Sequence, residues 1–150
     1  MKKIYFLAFA LAGVFASAQS WEPQATNFSP SWGVKEISIV NENVVWISAY
    51  DGTGNGTYPK DFAVTTNGGS DWVAQTAEEI PSGALISDIA GVDATTAYVV
   101  TAPQSSGVSN NGIWKTTDGG LNWTKYSGAI FNNSASFANH VYFWDANNGY

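Results

Sequence analysis

Aromatic residues recur along this chain at a fixed step, and that step constrains the fold more than any other feature. Trp21, Trp72 and Trp123 are spaced by 51 and 51 residues, and Trp46, Tyr98 and Tyr150 by 52 and 52. The segments between these anchors match in type. Glu36-Ile37-Ser38-Ile39-Val40-Asn41 aligns with Asp88-Ile89-Ala90-Gly91-Val92-Asp93 and with His140-Val141-Tyr142-Phe143-Trp144-Asp145. Asp61-Phe62-Ala63-Val64-Thr65-Thr66 aligns with Gly112-Ile113-Trp114-Lys115-Thr116-Thr117. A period of this length is the signature of a repeat architecture. No stretch after the leader keeps a 3.6-residue apolar period, so little helix is expected.

Each repeat reads as four short strands. In the first they fall near 34–40, 44–50, 61–66 and 72–76, and in the second near 86–92, 97–101, 112–117 and 122–126. Four antiparallel strands in about 51 residues make one blade of a β-propeller, so the expected class is all-β. A partial blade is expected over 137–150, and Trp21 to Ala25 matches only a blade's outer, fourth strand. Propellers typically close with at least about four blades. The expectation is therefore an incomplete ring, the N-terminal part of a longer propeller whose last blade the strand at Trp21 would complete.

Two turns carry the most specific pattern. Thr65-Thr66-Asn67-Gly68-Gly69-Ser70-Asp71-Trp72 and Thr116-Thr117-Asp118-Gly119-Gly120-Leu121-Asn122-Trp123 share the form Ser/Thr-x-Asp/Asn-x-Gly-x-polar-Trp. Asp or Asn can accept hydrogen bonds from the amides of its own turn. Glycine supplies positive φ without steric cost. The tryptophan is expected to fold back over its hairpin and fill space between strands.

These turns resemble the Asp-box, or BNR repeat, of sialidases, sortilin-type receptors, family 74 xyloglucanases and photosystem II assembly-factor-like propellers. Ile37 to Asn41 followed by Trp46, and Val141 to Asp145 followed by Gly149-Tyr150, are similar to the inner-strand pattern of the last group. Asn67 departs from the pattern's aspartate, and Asp71 and Asn122 replace the usual threonine. The resemblance implies that Thr65, Asn67, Gly69, Trp72, Thr116, Asp118, Gly120 and Trp123 are structural, on hairpins facing away from the binding side. No cofactor and no metal is expected.

The N-terminus reads as an export signal over 1–18. Met1-Lys2-Lys3 is basic, Ile4 to Phe15 is almost wholly apolar, and Ala16-Ser17-Ala18 offers a signal-peptidase site before Gln19. The apolar run is short for a permanent membrane span, so no stable membrane insertion is expected after cleavage. The chain would then be secreted or held at the cell surface. The ending Ala16-Ser17-Ala18-Gln19, on an acidic Trp/Asn/Gly-rich propeller, also resembles Bacteroidetes proteins exported by the type IX system. Cysteine is absent, which excludes a lipid anchor on that residue and any disulfide.

Loss of the leader leaves four lysines against twelve acids and moves the net charge from −6 to −8, with no arginine. Such a chain repels phosphate backbones, which argues against nucleic acid as a partner. Expected partners are extracellular glycan or protein.

In a propeller, the loops opposite the Asp-box hairpins share one face, here 51–60, 77–85, 102–111 and 127–136. Loops on a rigid scaffold commonly carry binding residues. Trp32, Asp51, Tyr58, Asp61, Glu78 and Glu79 are the candidates there, the aromatics to stack on sugar rings and the acids to accept hydroxyl hydrogen bonds. Asp51 to Gly56 begins like a calcium loop, but its twelfth position is Phe62 rather than an acid, which favours a glycine-rich turn. Glu36, Asp88 and His140 occupy equivalent places at the start of successive inner strands and are candidates for a polar ring at the channel.

A non-catalytic secreted propeller that binds or scaffolds is the leading expectation. The alternative is a glycoside hydrolase of the xyloglucanase kind, whose two acids would be sought among Asp51, Asp61, Glu78 and Asp88. A sialidase site needs arginines, which this chain lacks. An assembly factor for a membrane protein complex is a third reading.

Overall fold

A computed structural model of the chain describes residues 20–103, 112–128, 131 and 138–150. The proposed leader and most of the loops 102–111 and 127–136 lie outside these residues. Eight strands form two four-stranded antiparallel sheets, ordered β1-β2-β3-β4 and β5-β6-β7-β8. The first sheet comprises β1 (Trp32–Ile39), β2 (Val45–Asp51), β3 (Asp61–Thr65) and β4 (Val73–Thr76). The second comprises β5 (Ala84–Gly91), β6 (Ala97–Pro103), β7 (Gly112–Thr116) and β8 (Thr124–Lys125). No helix occurs among the described residues. Each sheet is a meander of sequential neighbours, as a propeller blade is. The fold is all-β, with successive blades.

Alternation along the strands makes the blades stack. Successive side chains point to opposite faces of a sheet, and in the second blade both faces are apolar. Ile86, Ile89, Val99 and Trp114 join Trp46, Phe62 and Val64 of the first blade in one core. Ala90, Tyr98 and Val100 face the other way, into a second cluster with Ala138 and Val141. A sheet covered on both sides must be apolar on both sides, which is why the second blade shows no polar face.

The same contact recurs one repeat further along. Trp46 of β2 lies on Gly91 of the next blade, where any side chain would collide with the indole, and its Nε1 donates to Asp93 O at 2.8 Å. Tyr98, the equivalent residue of the second blade, stacks on Phe143 at 3.5 Å between centroids and donates to Ala146 O. A large ring meets a glycine at one boundary, and a smaller ring meets phenylalanine at the next.

The third repeat contributes a compact segment over 138–150. The isolated bridge between Phe143 and Gly149 closes it, and the Asp145 carboxylate accepts from the Asn147 and Asn148 amides. Asn41 and Asp93 organise the equivalent turns of the two blades, accepting from Asn43 and Val44 and from Thr95 and Thr96.

Trp21 to Ala25 pairs with no strand among the described residues, and Trp21 is 99% exposed. Side chains, not a ladder, tie this segment down. Gln24 Oε1 accepts from Trp72 Nε1 at 3.2 Å, and Asn27 Nδ2 donates to Trp72 O at 2.7 Å. With no sheet edge pairing to it, its backbone gains none of the hydrogen bonds that fix a strand.

Candidate functional site

The two hairpins, over 65–72 and 116–123, are held by hydrogen bonds between their own side chains and amides. Thr65 Oγ1 donates to Asn67 Oδ1 and accepts from Gly69 N, while Asn67 Oδ1 accepts from Asp71 N at 2.9 Å. Thr116, Asp118, Gly120 and Asn122 repeat the pattern. Each hairpin also anchors to the turn beside it, through Gly68 N to Asn43 O and Gly119 N to Thr95 O. Gly120 has φ +91°, and a side chain there would strike the Phe62 ring. The tryptophan does not simply cover its own hairpin. Trp123, 3% exposed, packs edge-on against Phe62 of the preceding blade at 5.2 Å between centroids. Trp72 is only half-buried and meets Gln24 instead.

Because the strands are antiparallel, the opposite end of both blades carries the start of β1, the loop from β2 to β3, and the connection from β4 to β5. A cleft of about 310 Å³ opens there between the blades. Its walls include Lys35, Tyr50, Tyr58, Pro59, Leu85 and Ile86. Tyr50 and Tyr58 are 55% and 43% exposed.

Asp51 also lines this cleft, and it shapes the loop from within. Its Oδ1 accepts from Thr53 N and Thr53 Oγ1, and its Oδ2 accepts from Thr57 N. The Thr53 hydroxyl and amide, with the Thr57 donors, outweigh desolvation and hold the carboxyl below its ordinary value. Gly54 and Gly56, at φ +74° and +71°, let the chain turn back over this carboxylate. The run from Asp51 to Gly56 is thus a hydrogen-bonded turn. No cluster of three or more metal-ligating side chains occurs among the described residues.

The other candidates are spread around the same end. Trp32 pairs in register with Asp51 but does not line the cleft. Burial raises the pKa of Asp61, against the opposing Thr76 hydroxyl that donates to it at 2.7 Å. Glu78 and Glu79 are exposed, Glu78 lying 3.8 Å from Lys60. Lys60 also donates to Ile80 O at 2.8 Å, fixing the connection into the second blade.

Two of the three inner-strand candidates come together. Asp88 is buried, and its Oδ2 lies 2.6 Å from His140 Nδ1 and accepts from Val141 N at 3.0 Å. Its Oδ1 accepts from Ile89 N. Asp88 therefore clasps the second blade to the segment that follows. Glu36, one repeat earlier, makes no such clasp. Lys35 beside it reaches across instead, donating to Ile86 O at 2.7 Å and Ser87 O at 2.9 Å.

Sequence reasoning missed Lys35, Tyr50, Leu85 and Ile86 as cleft residues. Lys35 lies within the register shift between Val34 and Ile37, and Ile86 borders the shift before Asp88. The one available signal was a lysine inside an inner strand of a lysine-poor chain.

No family model matches this chain, and no curated protein does. Among solved structures, it is similar to one described as YCF48 bound to D1 peptide, at 22% identity and a TM-score of 0.49. That likeness covers 71% of this chain and 29% of that one, so the chain spans under a third of that structure's length. The blade assignment rests on the strand pairing and packing of this chain.

Proposed function

We propose that the chain is an exported binding or scaffolding protein that takes an extracellular protein or glycan in the cleft between its first two blades. The observation that carries this reading is the pair of exposed tyrosines, Tyr50 and Tyr58, on a concave, mostly apolar surface beside a loop hydrogen-bonded to Asp51. Pockets with a few convergent polar groups on an apolar wall are the usual form of a ligand site. Among the acids considered for hydrolysis, Asp51 alone lines the cleft, and its oxygens already accept three hydrogen bonds. That favours binding over bond cleavage.

Glycan-array and peptide-display selections with the purified chain test the proposal. Ligands recovered on the wild type should lose at least about tenfold in affinity in Tyr58→Ala and Tyr50→Ala, a loss typical of removing an aromatic anchor. Undiminished binding in both variants, with the strand signature intact, contradicts it.

A further inference from the structure

Lys35 distinguishes this cleft from a plain apolar groove. As a whole residue it is exposed, with its ammonium part-buried where it bridges to the second blade. The carbonyls of Ile86 and Ser87 take two of its bonds, while an ammonium carries three donors. No carboxylate among the described residues lies within 4.0 Å of it. Loss of water lowers its pKa, although Glu36 and Asp88 stand near enough to favour the charged form. Asp88 is committed elsewhere, to His140, Val141 and Ile89. A part-buried ammonium with a donor to spare and no contacting counter-ion can take a carboxylate.

Resting on the cleft as the ligand site, we infer that it takes an acidic peptide, with a Glu or Asp carboxylate on Lys35 and a neighbouring apolar side chain against Pro59, Leu85 and Ile86. The apolar part of the wall favours a peptide over an acidic sugar. Ala49, Pro59, Leu85 and Ile86 offer no side-chain hydrogen bonds. Sugar hydroxyls pressed against them would lose water without replacement, whereas an apolar side chain gains by the same burial. The chain's net charge of −6 disfavours an anion at long range, so Lys35 acts at contact and the peptide's apolar part must supply much of the affinity.

The test is an NMR titration of the labelled full chain with three probes: blocked Glu-Leu dipeptide, blocked Gln-Leu dipeptide and trigalacturonate. Saturable shifts at Lys35, Tyr50 and Tyr58 are expected with the Glu-Leu probe, and about tenfold weaker binding of the Gln-Leu probe, as for loss of a charge-assisted hydrogen bond. Lys35→Met should abolish that preference and Lys35→Arg should keep it. The Trp46 and Trp123 indole signals report whether each variant is folded. Equal binding of the two dipeptides, or tighter binding of trigalacturonate, overturns the acidic-peptide assignment and leaves the cleft as a site. If no probe shifts any cleft residue, the assignment fails and the cleft reading with it.

Discussion

Asn67 and Asp118 hold the same place in two hairpins, and each is completed by the opposite chemistry four residues on. Asn67 Nδ2 donates to the Asp71 carboxylate at 2.8 Å, and Asn122 Nδ2 donates to the Asp118 carboxylate at 2.7 Å. Each box holds one acid and one amide, in reversed order. Departures from a motif that look independent in sequence are thus paired in space. The donors of Asn122, side chain first, hold Asp118 below its ordinary pKa. A depressed folded pKa gives stability that is present above the unfolded value of about 4 and lost as pH falls through the lower folded value. Asn122→Asp faces two carboxylates at one site. It should melt below the wild type at pH 7 and recover toward it on acidification, and Asp118→Asn with Asn122→Asp should restore the wild-type melting temperature. Thermal melts of the three proteins at pH 7 and pH 4 check this. A double variant no more stable than Asn122→Asp contradicts the pairing.

At the scale of the element, the repeat carries much of the information. Strand positions were legible from alternation between tryptophan anchors, and every strand falls within two residues of its expected bounds. The loop from 51 to 60 was legible as a turn from its glycines. The cleft was not, because its wall combines residues of β1, β2, the loop after β2 and β5, which meet only when the blades pack. Nor was the clasp of Asp88 on His140 and Val141, since equivalence in sequence cannot say that Lys35 rather than Glu36 bridges the preceding boundary. Equivalent positions nonetheless have unequal energetic weight. Ile89 of β5 is 3% exposed between the blades, while Ile37 of β1, one repeat earlier, is 64% exposed. Ile89→Ala should cost about 2–4 kcal/mol through lost burial and a cavity, and Ile37→Ala less than about 0.5 kcal/mol. Equal costs in denaturant titrations would show that the two strands share one environment.

Among the described residues, the Thr-Thr-Asn/Asp-Gly-Gly hairpins and the cleft lie at opposite ends of the blades. The most recognisable residues build the scaffold, and the residues proposed to face a ligand belong to a surface that no motif marks. What joins the two is the boundary between the blades. Trp46 and Phe62 from the first blade and Trp123 from the second fill it, and the cleft opens above the same seam. The 52-residue step carries the same logic, because Trp46 and Tyr98 each pack on the segment that follows their own blade. The most direct measurement is a NOESY spectrum of the chain. Strong cross-peaks are predicted between the rings of Trp123 and Phe62, and from the Trp46 indole to Gly91. Cross-peaks confined within each sheet, with none linking these rings across the seam, would contradict the stacked-blade architecture and the cleft that depends on it.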